Sequence, residues 1–248
     1  MPRNPHKVLS SMADATAAML MPALIRQLES NAPGINMRVL PLTTRDPRAL
    51  LEAGEVDLAV GYFPAVVTAI ALEAMQTGAL ANFSHAQLYS SEYVCAMRRN
   101  HPLAKAPLTI DAYCEAHHLL VSFSGRPFGF IDEALAALNR SRRIVLTVNQ
   151  FFTAGRVVVG SDLLTVLPRH FLPSTGMSSE LTVRELPFAV PPVEVDMVWH
   201  QRTRLTAAQQ WLRAALSAAS ATAFSDAHSS PDLTKKRIKK ARLKNTKP

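Results

Sequence analysis

Only two cysteines, Cys95 and Cys114, occur in 248 residues, which excludes a disulfide framework. No apolar run reaches the roughly 18 residues that would suggest a bilayer span, so no membrane association is expected. The opening stretch MPRNPHKVLSS has no apolar h-region followed by a small-residue cleavage site, and a cytoplasmic location is the expectation. Ala15–Leu28 is apolar, but Pro22, Arg26, Gln27 and Glu29 mark it as part of an amphipathic helix. Catalytic signatures are missing as well. There is no Gly-x-Ser-x-Gly elbow, P-loop, Gly-x-Gly-x-x-Gly after a first strand, or His-Glu-x-x-His. Cys114, His117 and His118 are close in sequence, but nothing nearby completes a ligand set, and HHLLVS reads as the start of a buried strand. Binding without turnover, with no metal and no cofactor, is the expectation.

Charge is present but unevenly placed. The formal net charge is +8. Residues 223–248 hold eight Lys/Arg and two Asp, a net of +6, which leaves +2 for the preceding 222 residues. That terminal stretch has too few apolar residues to fold alone, and 223–248 is expected to be a disordered polybasic tail. It can bind nucleic acid only non-specifically, through counterion release; the plainer reading is a solvated extension.

What remains is dense in regular pattern, at 48% hydrophobic residues overall. Lys7–Ser10 reads as extended, and Asp14 stands where an N-cap belongs. Ala15–Ser30 has the apolar spacing of one helix face, with Pro22 inside it predicting a kink or a restarted turn. Ile35–Leu42 alternates as a strand, Arg45–Ala53 reads as a helix closed by Gly54, and Val56–Val60 is apolar enough for a strand buried on both sides. This is β-α-β-α-β with parallel crossovers. Further strands are expected at Glu92–Arg98, Leu119–Phe123, Ile144–Val148, Leu163–Leu167 and Val193–Trp199. Helices are expected at Ile131–Asn139, Ala154–Val159 and Thr206–Ala219. Two α/β units joined by extended crossovers imply two lobes with a cleft between them.

In open α/β sheets, ligands meet the carboxyl ends of the strands. Four segments fall there: Met12-Ala13-Asp14, Tyr62-Phe63, Ser124-Gly125-Arg126 and Asn149-Gln150-Phe151. The turn before Asp14 leads into a helix N-terminus, which favours an anion. Tyr62 and Phe63 either offer aromatic surfaces to a ligand or pack beneath a neighbouring loop. Ser124 and Arg126 either bind a carboxylate, through a hydroxyl and a bidentate guanidinium, or form a solvated surface loop.

Four stretches, in this order, resemble one known family. LLEAGEVDLAVG, YVCAMRRNHPLA, GSDLLTVLPRHF and VDMVWHQRTRLTAAQQWLRAAL are similar to segments of the effector-binding domain of LysR-type transcriptional regulators. The similarity runs from about His6 to Ser220. The resemblance implies a type II periplasmic-binding-protein-like α/β fold after a short leader (1–6). It places lobe I at 7–93 and 199–222, and lobe II at 94–198. It further implies an effector-sensing domain that controls transcription, binds an aromatic or other small organic acid in the cleft between the lobes, and forms a homodimer. The implied effector contacts are Met12, Ala13, Asp14, Tyr62, Phe63, Ser124, Arg126, Asn149, Gln150 and Phe151. Two positions depart from the family pattern: Ala13 stands where Ser or Thr is frequent, and Gln150 where some members place a histidine. The family's N-terminal helix-turn-helix has no counterpart in MPRNPHKVLSS, so no sequence reading of DNA by that route is expected. A solute-binding protein for transport, which shares the fold, is the alternative.

Overall fold

A computed structural model describes residues 6–77 and 81–225. The first β-α-β-α-β run is present. Strand β1 (His6–Met12) pairs in parallel with β2 (Ile35–Pro41) and β3 (Leu58–Gly61), with helices α1 (Asp14–Asn31) and α2 (Arg48–Ala53) in the two crossovers. Asp57 explains the start of β3. Its carboxylate accepts from the Leu9 N–H at 2.8 Å while its own N–H donates to the Leu9 carbonyl at 2.8 Å, so the ladder begins before the strand proper. Gly54 closes α2 in the left-handed region (φ 75°), where glycine is free of the Cβ penalty.

Helix α3 (Pro64–Thr77) and strand β4 (Phe83–Ser91) follow. The chain then passes through Glu92 into β5 (Tyr93–Arg98) and a second sheet, which also contains β6 (His117–Val121), β7 (Arg143–Val148), β8 (Leu164–Pro168) and β9 (Leu181–Arg184). Its helices are α4 (Ile110–Glu115), α5 (Phe130–Ala137) and α6 (Phe151–Val159). The chain returns through residues 185–192 to β10 (Val193–His200) and closes on α7 (Ala207–Ser225). The sheet orders are β2-β1-β3-β10-β4 and β7-β6-β8-β5-β9.

Several expectations are corrected. The second lobe does not reach 198: all of β10 pairs antiparallel with β4, and Asp196–Val198 with β3 as well, so it belongs to the first sheet from Val193 onward. Helix α2 begins at Arg48, not Arg45. Pro47 disfavours a helical Asp46, and Arg45 is left in the β2–α2 loop. Pro22 lies on the exposed side of α1 without ending it. Ala223–Ser225, assigned above to the tail, complete α7, where Phe224 stacks on Tyr89 with 3.9 Å between ring centroids. The basic run Lys235–Lys247 lies outside the described residues.

The first lobe's core joins Leu20 and Leu24 of α1 to Leu212 and Leu216 of α7 across Val8, Leu58, Val60 and Met197. Each such buried aliphatic side chain stabilises by roughly 1.5–3 kcal/mol. The second sheet buries Leu119, Ala154, Val158, Leu167 and Phe171 on one side, and Cys95, Tyr113, Leu135 and Leu164 on the other. Cys95 is fully buried, and burial pushes its thiol up to about 12. His117 is exposed and His118 buried on opposite faces of β6, with His118 Nε2 bonded to the Tyr113 carbonyl at 2.7 Å. Two of the recognised stretches are fastened together. His101 Nδ1 accepts from the Leu103 N–H at 3.1 Å, leaving Nε2–H to donate to the Asp162 carbonyl at 3.2 Å, and Arg98 pairs with the Asp162 carboxylate at 2.6 Å.

Candidate functional site

The carboxyl ends of β1, β3 and β6 open towards one another across the gap between the sheets. Gly61 ends β3 without a side chain because none fits. A Cβ there would lie 2.8 Å from Leu42 Cδ2 and 2.9 Å from Phe63 Cζ. Phe63 turns back under the strand and is 1% exposed, packed with Leu51, Val66 and Val198. Tyr62 takes the opposite course and faces the gap.

That gap is a cleft of two chambers, about 90 Å³ and about 40 Å³. They share a wall of Leu42, Tyr62, Tyr93, Phe123, Phe151 and Val193. Both lobes contribute to it. The smaller chamber is bordered by polar side chains tied in pairs. Thr16 Oγ1 and Tyr89 Oη are 3.0 Å apart, and Ser91 Oγ is 3.0 Å from His170 Nδ1. His170 Nε2 is buried without a hydrogen-bond partner among the described residues. Burial pushes the His170 imidazole down to about 4 and the Tyr89 phenol up to about 12, so this chamber's wall is neutral near pH 7. The larger chamber extends over β6 to the start of α5, past Leu119, Ile131 and Val166 to the guanidinium groups of Arg45 and Arg142.

The two lobes are also joined by a hydrogen bond. Helix α6 has Gln150 as its N-cap, whose side chain makes no capping bond to the helix; Gln150 Oε1 instead accepts from Thr153 Oγ1 at 3.2 Å. The N–H of Phe152 donates to Asp14 Oδ2 at 2.9 Å. Asp14 therefore does not cap its own helix, contrary to the expectation above. Ala13 is the N-cap residue of α1, and no side chain caps it. The first lobe's carboxylate instead satisfies a free donor at the second lobe's helix.

The profile of the LysR substrate binding domain matches residues 11–221. The chain belongs to this family. It is 28% identical over 203 residues to the HTH-type transcriptional activator NagR of Ralstonia sp, covering 82% of this chain and 63% of that protein. It is 29% identical over 218 residues to the HTH-type transcriptional regulator SyrM of Rhizobium meliloti, covering 88% and 63%. The chain thus spans less than two thirds of the length of these relatives. Among solved structures, the regulatory domain of MexT, a transcriptional activator of Pseudomonas aeruginosa, superposes with a TM-score of 0.70 and 28% identity, covering 87% of this chain and 98% of that one. The effector binding domain of QuiR, solved with shikimate, gives 0.65 at 16% identity, covering 85% and 95%. These relatives are transcriptional regulators, not enzymes or transport proteins, and the two-lobed arrangement is the family's type II periplasmic-binding-protein-like fold.

Within this LysR effector domain the ten expected contact residues fall into four groups. Ala13, Tyr62, Ser124 and Phe151 line the cleft, Ser124 at its exposed margin. Asp14 bridges the lobes. Met12 and Phe63 are core residues, 2% and 1% exposed, and Arg126, Asn149 and Gln150 are exposed away from the chambers. Sequence reasoning missed Arg45, Tyr93, Phe123 and Arg142 in the larger chamber, and Thr16, Tyr89 and His170 in the smaller. For Arg142 a signal existed. Asp132 lies three residues after Gly129, the spacing of a reciprocal cap, and its carboxylate accepts from the Gly129 N–H at 2.7 Å. A capping carboxylate about ten residues before an Arg-Arg pair is a natural ion-pair partner. Among the described residues no group of three His, Cys, Asp or Glu is placed to hold a metal, and no helix is long and apolar enough to cross a membrane.

Proposed function

We infer that this chain is the effector-sensing part of a cytoplasmic LysR-type transcriptional regulator, and that its cleft takes a small organic acid with an aromatic or other ring body. The observation that supports this best is that both lobes build the cleft wall. A molecule filling it touches both lobes at once and so binds the closed arrangement better than an open one. A ligand shifts a conformational equilibrium only by such a difference in affinity. The body of the ligand follows from the wall, where Tyr62, Tyr93, Phe123 and Phe151 supply ring surfaces. The sign of its charge is supported by Arg45 and Arg142, the charged side chains in the lining of the larger chamber. Control of transcription and pairing with a second copy belong to the longer relatives and extend to this chain through the family.

A thermal-shift screen of organic acids, sugars and cationic metabolites tests the reading. A ligand at about 100 times its dissociation constant stabilises the native state by roughly 2.7 kcal/mol. Organic acids are expected to raise the melting temperature. A response confined to sugars or cations would sink the proposal.

A further inference from the structure

The two charged groups lining the larger chamber are both guanidinium groups, and they are held very differently. Arg142 is fixed. Its side chain is 1% exposed; Nε and Nη2 donate to the two oxygens of Asp132 at 2.7 and 3.1 Å, and Nη1 donates to Tyr113 Oη at 3.0 Å. Burial acts most strongly on Arg142 and disfavours its charge, but the hydrogen bonds and charges of Asp132 and Tyr113 together outweigh it, and Arg142 remains a cation. A guanidinium has five N–H donors. One N–H on each terminal nitrogen of Arg142 is therefore left without a protein acceptor among the described residues. Arg45 is free by comparison. It stands in the exposed β2–α2 loop and makes no ion pair or hydrogen bond among the described residues. Its Nη2 reaches the N-terminal end of α5, 3.7 Å from where a Cβ on Gly129 would sit, and Asp132 Oδ2 is 3.9 Å from the same point. Between these cations and the shared aromatic wall the lining is mainly hydrocarbon, from Leu119, Leu120, Ile131 and Val166, with the hydroxyl groups of Thr44 and Ser122 as its uncharged polar side chains there.

We propose that the larger chamber selects a compact ring bearing a single carboxylate, with the ring against Phe123, Phe151 and Ile131 and the carboxylate held between the Arg45 fork and the spare N–H groups of Arg142. This rests on the effector-sensing reading and adds the anchor, its polarity and its direction. The two arginines divide the task. Arg142, already paired with Asp132, contributes oriented donors and little net charge. Arg45 contributes the unpaired charge that a buried carboxylate requires. Ser124 lies at the margin, and Arg126 lies outside the chamber, so neither supplies the anchor. The neutral amide of the same acid fits the same space and keeps a carbonyl acceptor, but it gains no charge pairing from Arg45.

Isothermal titration of the full chain with benzoate, cyclohexanecarboxylate and cinnamate, each beside its neutral amide, tests the assignment. At least one acid is expected to bind about tenfold or more tightly than its amide, as loss of a charge-assisted hydrogen bond implies. Arg45→Gln should remove that margin and leave the amide unchanged, while Arg45→Lys, a point charge without the fork, keeps part of it. Arg126→Gln should match the wild type. Arg45 is in an exposed loop, so an unchanged melting temperature confirms that each variant is folded. Acids that bind equally well to wild type and Arg45→Gln, or that lose affinity in Arg126→Gln instead, overturn this anchor and leave the effector-sensing reading intact. Failure of every acid to bind the wild type, with ligands of another charge binding in the thermal-shift screen, overturns both.

Discussion

Asp14 and Phe152 are 138 positions apart, in different lobes, and joined by one hydrogen bond of 2.9 Å from the Phe152 N–H to Asp14 Oδ2. A bond of this kind exists only while the lobes are close, so Asp14 acts on the closed arrangement specifically. Replacing a capping side chain by alanine costs about 1 kcal/mol. Asp14→Ala is therefore expected to weaken effector affinity by about fivefold, while Asp14→Asn, which keeps an acceptor, loses less. Titration of both variants with the ligand found in the screen checks this. Equal affinity in wild type and Asp14→Ala would show that the bond has no part in closure.

Two imidazoles, one buried (His118) and one half-buried (His170), make stability depend on pH. Burial is the main cause that lowers both His118 and His170 from the ordinary imidazole range to about 4; the nearby Arg142 charge adds to it for His118. Between those values the unfolded chain binds protons that the native state does not. Stability is then complete above about pH 6.5 and falls as the pH drops towards 4, by on the order of 2–3 kcal/mol for each group. Urea midpoints at about pH 7.5 and pH 5 should differ in that direction, and His170→Phe should flatten part of the slope. A midpoint unchanged between the two pH values contradicts the assignment.

The path of the backbone was more legible than the site, for a physical reason. Hydrophobic period and glycine position are local, so β1, β2, β3 and the closing Gly54 follow from the residues themselves. Helix α3 was missed although Pro64 suits the first position of a helix and Val66 and Ile70 have helical spacing. Its apolar run invites no period by eye. The site fails differently. A carboxylate before a helix caps that helix by default, and only the tertiary arrangement shows that Asp14 serves α6. Phe63 and Tyr62 are equivalent in a string of letters and opposite in space, because the room left by Gly61 is filled by Phe63. Arg45 is hidden by a helix expected three residues too early.

An apolar groove on the first lobe supports self-association. Ala17, Ala18, Met21, Ile25 and Leu28 of α1, with Val39 of β2, line a recess of about 440 Å³. Strand β2 is the outer strand of its sheet, and Ile25 and Val39 are 49% and 39% exposed. Contiguous apolar surface beside an unpaired strand edge is a typical association surface. Arg26 and Glu29 flank it and remain exposed. Light scattering is expected to show a dimer that Ile25→Glu converts to monomer at the same concentration. A wild-type monomer at every accessible concentration would remove the idea.

Any binding of nucleic acid by this chain is expected to be weak, indifferent to sequence and confined to the basic run. Eight Lys/Arg occur between Lys235 and Lys247, whereas residues 1–222 have a net charge of only +2. Contacts that neutralise six or more phosphates lose on the order of 10³ in affinity between about 50 and 200 mM salt. Deleting residues 229–248 should abolish the binding. It should leave the melting temperature nearly unchanged, because the described cores are complete before Ser225. A gel shift comparing a promoter fragment with scrambled DNA, with and without the deletion, decides the matter. Preference for one sequence that persists after the deletion at physiological salt would place a DNA-reading surface on the folded lobes themselves.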